Sequence, residues 1–151
     1  MNEVYIISSN FHMKFILAGK AIFTVKNTDT GNRYTYKVKL NEFGDGYFVS
    51  VFTGTRNCNW RHYSYIGMLR RRGAEWLFYT TKKSYIKVKA CEPRFRGFVW
   101  CWNKLLNNSL PEKVSIYHEG MCCKCGKKLT VPESIEAGIG PVCAKFMNYS
   151  K

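Results

Sequence analysis

The chain has 151 residues, of which 46% are hydrophobic and 23% charged, so it can bury a core and is not expected to be disordered. Lysine and arginine total 24 against 10 acidic residues, and the resulting net charge of +14 favours polyanionic partners such as DNA, RNA or an acidic protein surface. No stretch reaches the roughly 18 consecutive apolar residues of a membrane span, and the N-terminus lacks a signal-peptide pattern, so we expect a cytoplasmic protein without a membrane partner.

The first part of the chain has the alternation and the turn residues of a β-sheet. Residues 15–25 are apolar and β-branched, and residues 33–40 place apolar and aromatic side chains at every second position. Asn, Asp, Thr and Gly fill the segment 27–32 between them, as in a turn. Further strands are predicted over 47–53, 61–69, 75–81 and 84–90. Because the connections are short, we expect these strands to form an antiparallel meander.

A helix is predicted over about 94–108, directly after Pro93, which suits the first turn of a helix. Apolar residues recur there at the spacing of one helical face: Phe95, Phe98, Val99, Trp102, Leu105 and Leu106. We expect this stripe to pack on one face of the sheet as core and not to form a ligand site. The predicted fold class is therefore α+β, an antiparallel β-meander packed by one amphipathic helix in a domain over residues 1–112.

Four of the seven cysteines cluster near the end of the sequence, which in a reducing cytoplasm indicates metal ligands sooner than disulfides. Cys122-x-x-Cys125 followed by Gly126 has the form of a zinc knuckle, because two intervening residues let both thiolates point at one ion across a tight turn. Cys143 is the third candidate ligand. Pro141 precedes it and starts a predicted helix, whose positive end favours a thiolate.

A tetrahedral zinc site needs a fourth ligand. We predict His118, on the strand that leads into the cluster, while Cys123 is the competitor, although adjacent cysteines rarely reach one ion together. With all four positions filled by protein, the Zn²⁺ would be structural and not catalytic. Residues 118–151 are too few to bury a core unaided, so we expect a small treble-clef-like zinc-knuckle module over residues 113–151.

Several short motifs follow one another between residues 118 and 146: His118-Glu119-Gly120, Cys122-x-x-Cys125-Gly126, Leu129-Thr130-x-Pro132-Glu133-Ser134-Ile135 and Gly138-Ile139-Gly140-Pro141-x-Cys143. Together they resemble an uncharacterised protein family common in tailed bacteriophages, a domain of unknown function. The resemblance implies a phage origin and a small zinc-binding module, and it supplies no activity. Members of this family often have another residue at the position of Cys123, which implies that Cys123 is not a ligand.

We expect no enzymatic activity. The only aspartates, Asp29 and Asp45, fall in predicted turns, and no paired-carboxylate site of the kind that a nuclease needs is visible. Two segments instead mix cations with aromatic rings, a combination that suits single-stranded nucleic acid. The predicted nucleic-acid-binding residues in these segments are Arg56, Trp60, Arg61, Arg70, Arg71 and Arg72.

These features favour a phage-encoded, zinc-stabilised, non-enzymatic accessory protein that binds DNA or RNA in the cytoplasm of the infected bacterial host cell. The alternative is a phage inhibitor that serves host takeover or anti-defence by binding directly to a host protein or protein–nucleic acid complex, such as a nuclease or a polymerase. Salt distinguishes the two, because affinity for nucleic acid falls steeply as salt rises.

Overall fold

The computed structural model describes residues 5–54 and 62–147 of the chain. Within these ranges seven strands form one sheet: β1 (Tyr5–Ile6), β2 (Lys20–Asn27), β3 (Arg33–Leu40), β4 (Gly46–Phe52), β5 (Tyr63–Arg72), β6 (Glu75–Tyr79) and β7 (Val114–His118). The α-helices are α1 (His12–Ile16), α2 (Pro93–Leu106), α3 (Pro132–Ala137) and α4 (Pro141–Phe146), and short 3-10 helices cover Ser9–Phe11 and Lys82–Tyr85. The predicted α+β class is confirmed. No helix in the described ranges has both the length and the apolar character needed to cross a membrane.

The sheet is antiparallel, and its strand order is β1-β7-β2-β3-β4-β5-β6. Strands β2 to β6 form the predicted meander. At its first turn, the side chain of Asn27 accepts hydrogen bonds from the backbone N–H groups of Asp29 and Thr30, which fixes the reversal of the chain. Strand β7 lies between β1 and β2, where Thr24 is paired with Tyr117.

Helix α2 packs against one face of the sheet. The Tyr36 hydroxyl donates a hydrogen bond to the Arg94 carbonyl (2.7 Å), and the ring of Phe98 lies 5.3 Å from the Tyr36 ring. Trp102 is 1% exposed, and its indole N–H donates to the Trp76 carbonyl at 2.8 Å. Each buried polar group on these rings thus has a partner, and the predicted role of the α2 stripe as core is confirmed.

Two segments predicted as strands form other structure. In the first, predicted over 15–25, helix α1 places Phe15 and Ile16 in the core, and the strand begins only at Lys20. In the second, predicted over 84–90, a 3-10 helix begins after Thr81, because Thr81 and Ser84 form a capping box in which each side chain bonds the other's backbone. The 3-10 helix ends at Tyr85, and bends and a turn follow over residues 86–90 in place of the predicted strand.

The C-terminal segment shares the sheet and the core of the β-rich segment. Strand β7 follows the domain boundary predicted between residues 112 and 113, and it pairs with both β1 and β2. Leu129 and Ile139, farther along the chain, belong to the same apolar cluster as Phe15 and Ile16. The cysteine-rich segment is thus attached to the body of the protein through a strand inside the sheet.

Candidate functional site

The sulfur atoms of Cys122, Cys125 and Cys143 all lie within 4.8 Å of one another. A tight turn brings the first two together, because the Gly126 N–H donates to the Cys122 carbonyl at 2.9 Å. Gly126 has a φ of 81°, a left-handed conformation that glycine adopts without strain. Cys143 comes from α4, which begins at Pro141 as predicted. The structure therefore brings the three predicted cysteines together, and they could hold a metal ion.

Backbone N–H groups surround the thiol of Cys122. Burial raises the pKa of this thiol, but hydrogen bonds from the backbone outweigh burial and lower the pKa to about 7. The donors are the backbone N–H groups of Gly140, Cys125 and Lys124, of which the Gly140 N–H lies 3.4 Å from the sulfur. In contrast, burial and a hydrogen bond with Cys125 raise the pKa of Cys143 to about 11. The cluster thus supplies one thiol that ionises near neutral pH, and the thiolate is the form that binds metals.

His118, the predicted fourth ligand, is not part of this cluster. Its Nε2 lies 2.6 Å from the Ile135 carbonyl, and its Nδ1 accepts a hydrogen bond from the Gly120 N–H at 3.0 Å. Because a carbonyl can only accept, Nε2 carries the proton and the ring is neutral. Burial lowers the pKa of His118, and the bond to Ile135 offsets part of this effect. Nε2 therefore joins β7 to α3, and Nδ1 binds the backbone of the turn that follows β7.

Cys123 also lies outside the cluster of three sulfurs and faces the core. It is 0% exposed, and burial raises the pKa of its thiol. Its N–H donates to the Gly138 carbonyl (3.0 Å), and its carbonyl accepts from the Lys20 N–H (2.7 Å), so it joins the cysteine-rich segment to the start of β2. Across residues 5–54 and 62–147, no fourth Cys, His, Asp or Glu donor joins the three sulfurs.

Only half of the predicted nucleic-acid-binding set can be placed. Arg70, Arg71 and Arg72 end β5 next to the turn into β6, and all three are exposed. The Arg71 Nε donates to the Gly73 carbonyl at 3.1 Å, and the Arg70 guanidinium lies 3.8 Å from the Met68 sulfur. The other predicted residues, Arg56, Trp60 and Arg61, lie outside the described residues.

The face of the sheet opposite α2, which we call the open face, carries a row of cations and rings. Alternate positions of each strand point to this face, away from the core positions Tyr36 and Val38. Strand pairing sets five open-face residues side by side across β2 to β6, in the order Lys20, Lys39, Phe48, Met68 and Tyr79. All but Met68 are exposed. We call this set the cross-strand row.

Two grooves meet at Phe48, in the middle of the cross-strand row. One has a volume of about 550 Å³ and is lined by Phe48, Tyr65, Thr81, Lys82 and Lys83. The other has a volume of about 630 Å³, and its charged lining residues are Lys39, Arg70, Glu42 and Asp45. Each groove therefore offers two exposed cations beside the same aromatic ring.

The residues of these grooves were not predicted as a site, apart from Arg70. A signal for Phe48 exists in β4, where alternation assigns Tyr47, Val49 and Val51 to the core and leaves Phe48 on the same side as Ser50. An aromatic ring on the polar side of a strand is the unusual feature. Lys82 and Lys83 had no such signal, because they lie between the predicted strands 75–81 and 84–90 and their position depends on the 3-10 helix that forms there.

Residues 115–147 match a protein family that is described as a family of unknown function (DUF6011). The match begins in β7 and includes α3, α4 and the three clustered cysteines. The chain therefore carries a DUF6011 domain at these residues. Comparison with curated proteins gives no match, and neither does comparison with solved structures.

Proposed function

We propose that this protein binds nucleic acid without catalysing a reaction, and that Zn²⁺ at Cys122, Cys125 and Cys143 stabilises its C-terminal segment. The observation that carries the nucleic-acid proposal is the cross-strand row, in which two exposed lysines on β2 and β3 lie beside the exposed ring of Phe48, followed by Met68 and the exposed ring of Tyr79. Lysine and arginine contact phosphates, and exposed rings stack on bases.

Charge supports this proposal. The net charge of +14 is spread over a small chain, so a polyanion is attracted before any specific contact forms. The positive charges that line the two grooves of the open face are Lys39, Arg70, Lys82 and Lys83. The acidic groups nearby are Glu42 and Asp45, and the Asp45 carboxylate already accepts a hydrogen bond from the Asn41 amide at 2.7 Å.

The chemistry of the cluster supports zinc as the metal. Thiolates are soft ligands, and tetrahedral zinc with Zn–S bonds of about 2.3 Å requires sulfur atoms about 3.8 Å apart. Since the three sulfurs already lie within 4.8 Å, small side-chain rotations bring them to this distance. Zinc bound here would connect the Cys122–Cys125 turn to α4, which the hydrogen bond from the Gly140 N–H to the Cys122 sulfur also joins.

We further propose that the protein acts in the cytoplasm of a phage-infected bacterium. The resemblance of residues 118–146 to phage proteins supports this location. Recovery of nucleic acid with the tagged protein from infected cells, and its loss after nuclease treatment, is the expected result. Recovery of a host protein that survives nuclease treatment would favour the alternative function as an inhibitor.

The binding proposal is tested by fluorescence anisotropy with labelled DNA and RNA, single- and double-stranded, at several salt concentrations. We expect Lys39→Glu and Arg70→Glu to weaken binding. For each phosphate contact that is lost, the slope of log affinity against log salt concentration should become shallower by roughly 0.7–0.9. Lys113→Glu is the matched control, because it makes the same charge change at an exposed position outside the two grooves. Lys113 directly precedes β7, which pairs with the end of β2 that is distant from Lys20. If no nucleic acid binds at physiological salt, the proposal is wrong, and an acidic protein surface becomes the preferred partner.

A further inference from the structure

We infer that the nucleic acid bound at the open face is single-stranded, with a base stacked on Phe48 and the adjoining phosphates in the two grooves. This inference rests on the proposed function and specifies its ligand. It depends on the position of one ring, which the structure fixes between two pairs of cations.

The ring of Phe48 is both exposed and held in place. It is 42% exposed on the open face, and the Tyr65 ring packs against it edge-on, with centroids 6.3 Å apart and planes at 67°. An edge-on neighbour fixes the orientation of a ring without covering its whole face. Phe48 can therefore receive a flat ligand with little loss of side-chain freedom.

Cations flank this ring on both sides. Lys82 and Lys83 line the groove on the Tyr65 side, and Lys39 and Arg70 line the other. Lys82 and Lys83 are held by the capping box, in which the Thr81 N–H donates to the hydroxyl of Ser84 (2.8 Å), itself fully buried. Since the two grooves share Phe48, a chain of phosphates passing from one to the other crosses the ring.

A duplex cannot use this arrangement. Paired bases already stack on one another, so a rod-like duplex presents phosphates to the lysines and arginines and leaves Phe48 without a partner. An unpaired base can turn outward and stack on the ring, which strengthens binding about 5- to 150-fold for each stacked base. The exposed ring therefore favours a single strand, while the cations alone favour neither form.

Cross-strand aromatic pairs also stabilise sheets, and the chain offers a control for that role. Phe52 lies four residues after Phe48 on the same face of β4 and packs against Tyr63 in the same edge-on manner, at 5.5 Å and 66°. Phe52 lines neither groove. Phe48→Leu and Phe52→Leu thus remove similar edge-on ring pairs, of which only the first lines the two grooves.

Anisotropy titrations with single-stranded and duplex oligonucleotides of one sequence test the inference. The unmodified protein is expected to bind the single strand more tightly than the duplex. Phe48→Leu should weaken single-strand binding about 5- to 150-fold, with the duplex affinity and the salt dependence unchanged, and Phe52→Leu should alter neither affinity. Phe48→Trp should retain binding, and its fluorescence should be quenched by the single strand.

Equal single-strand affinity of Phe48→Leu and the unmodified protein would overturn the inference. If Lys39→Glu still weakened binding in that case, the proposed function would stand and only the stacking role would fail. Tighter binding of the duplex would likewise refute the single-strand assignment. Absence of binding to every oligonucleotide would instead refute the proposed function itself.

Discussion

Gly138→Ala tests whether the cysteine-rich segment is packed on the core as the structure shows. Gly138 ends α3 with a φ of 76°, and its carbonyl accepts the hydrogen bond from the Cys123 N–H. A Cβ atom built on Gly138 would lie 2.6 Å from ring carbons of Phe15, which is 1% exposed. A methyl group at this position therefore meets both a backbone penalty and a steric clash.

The expected cost combines these two effects. A left-handed conformation costs a non-glycine residue about 1–2 kcal/mol. Overpacking a core that cannot move freely costs about 1–3 kcal/mol more. Together they would lower the free energy of unfolding by about 2–5 kcal/mol, a large share of the roughly 5–15 kcal/mol that stabilises a typical domain. Because Gly138 also contacts the cysteine-rich segment, this segment should loosen first.

Urea unfolding followed by tryptophan fluorescence, with zinc present in excess, measures this cost. Gly31→Ala is the control, because Gly31 has nearly the same φ of 78° but no atom within 4 Å of the added Cβ. It should lose only the backbone penalty of about 1–2 kcal/mol. If the two variants lose equal stability, Phe15 does not pack on Gly138 as described, and the attachment of α3 to the core is wrong.

Two further predictions concern the cysteines and the histidines. Elemental analysis should find about one zinc ion per chain, and Cys125→Ser should abolish it. Cys123→Ala should retain the zinc because the Cys123 thiol lies outside the cluster, so equal zinc in both variants would contradict the ligand assignment. Stability should decrease as the pH falls below about 6.5, because burial lowers the pKa of His12 and His118 in the folded state and the unfolded chain binds the extra protons. This contribution is complete above the unfolded pKa and is lost as the pH falls through the folded values, so an unfolding midpoint that stays constant from about pH 7.5 to 5.5 would contradict it.

Regular periodicity allowed the sequence to predict α2 and the strands of the meander. The 3.6-residue spacing of the apolar stripe located a helix that the structure places at Pro93–Leu106, and the turn at 27–32 separated β2 from β3. The spacing of Cys122, Cys125 and Cys143 likewise predicted their meeting, because a Cys-x-x-Cys turn is a local geometry.

Non-local pairing could not be predicted in this way. The sequence around His118 is compatible with a metal ligand. Only the position of Ile135 on α3 shows that the His118 Nε2 is hydrogen-bonded to the Ile135 carbonyl. Lys82 and Lys83 reach the open face through a local capping box, which the β-branched residues around it do not predict. The first outcome depends on a contact between distant segments and the second on a side-chain cap, and periodicity predicts neither.

The central position of β7 has a consequence for how the chain folds. Thr24 in β2 pairs with Tyr117, and Tyr5 in β1 pairs with His118, so within the described residues β1 joins the sheet only through a strand that lies far along the chain. Closing so long a loop is slow, because its entropy is lost before the contacts form. During synthesis, β2 to β6 emerge from the ribosome well before β7, and the edge of β2 at residues 24–27 stays without its partner strand in that interval. An unpaired strand edge is prone to aggregation. The cysteine-rich segment directly follows β7, so Cys122, Cys125 and Cys143 come together only after the last strand of the sheet has been made.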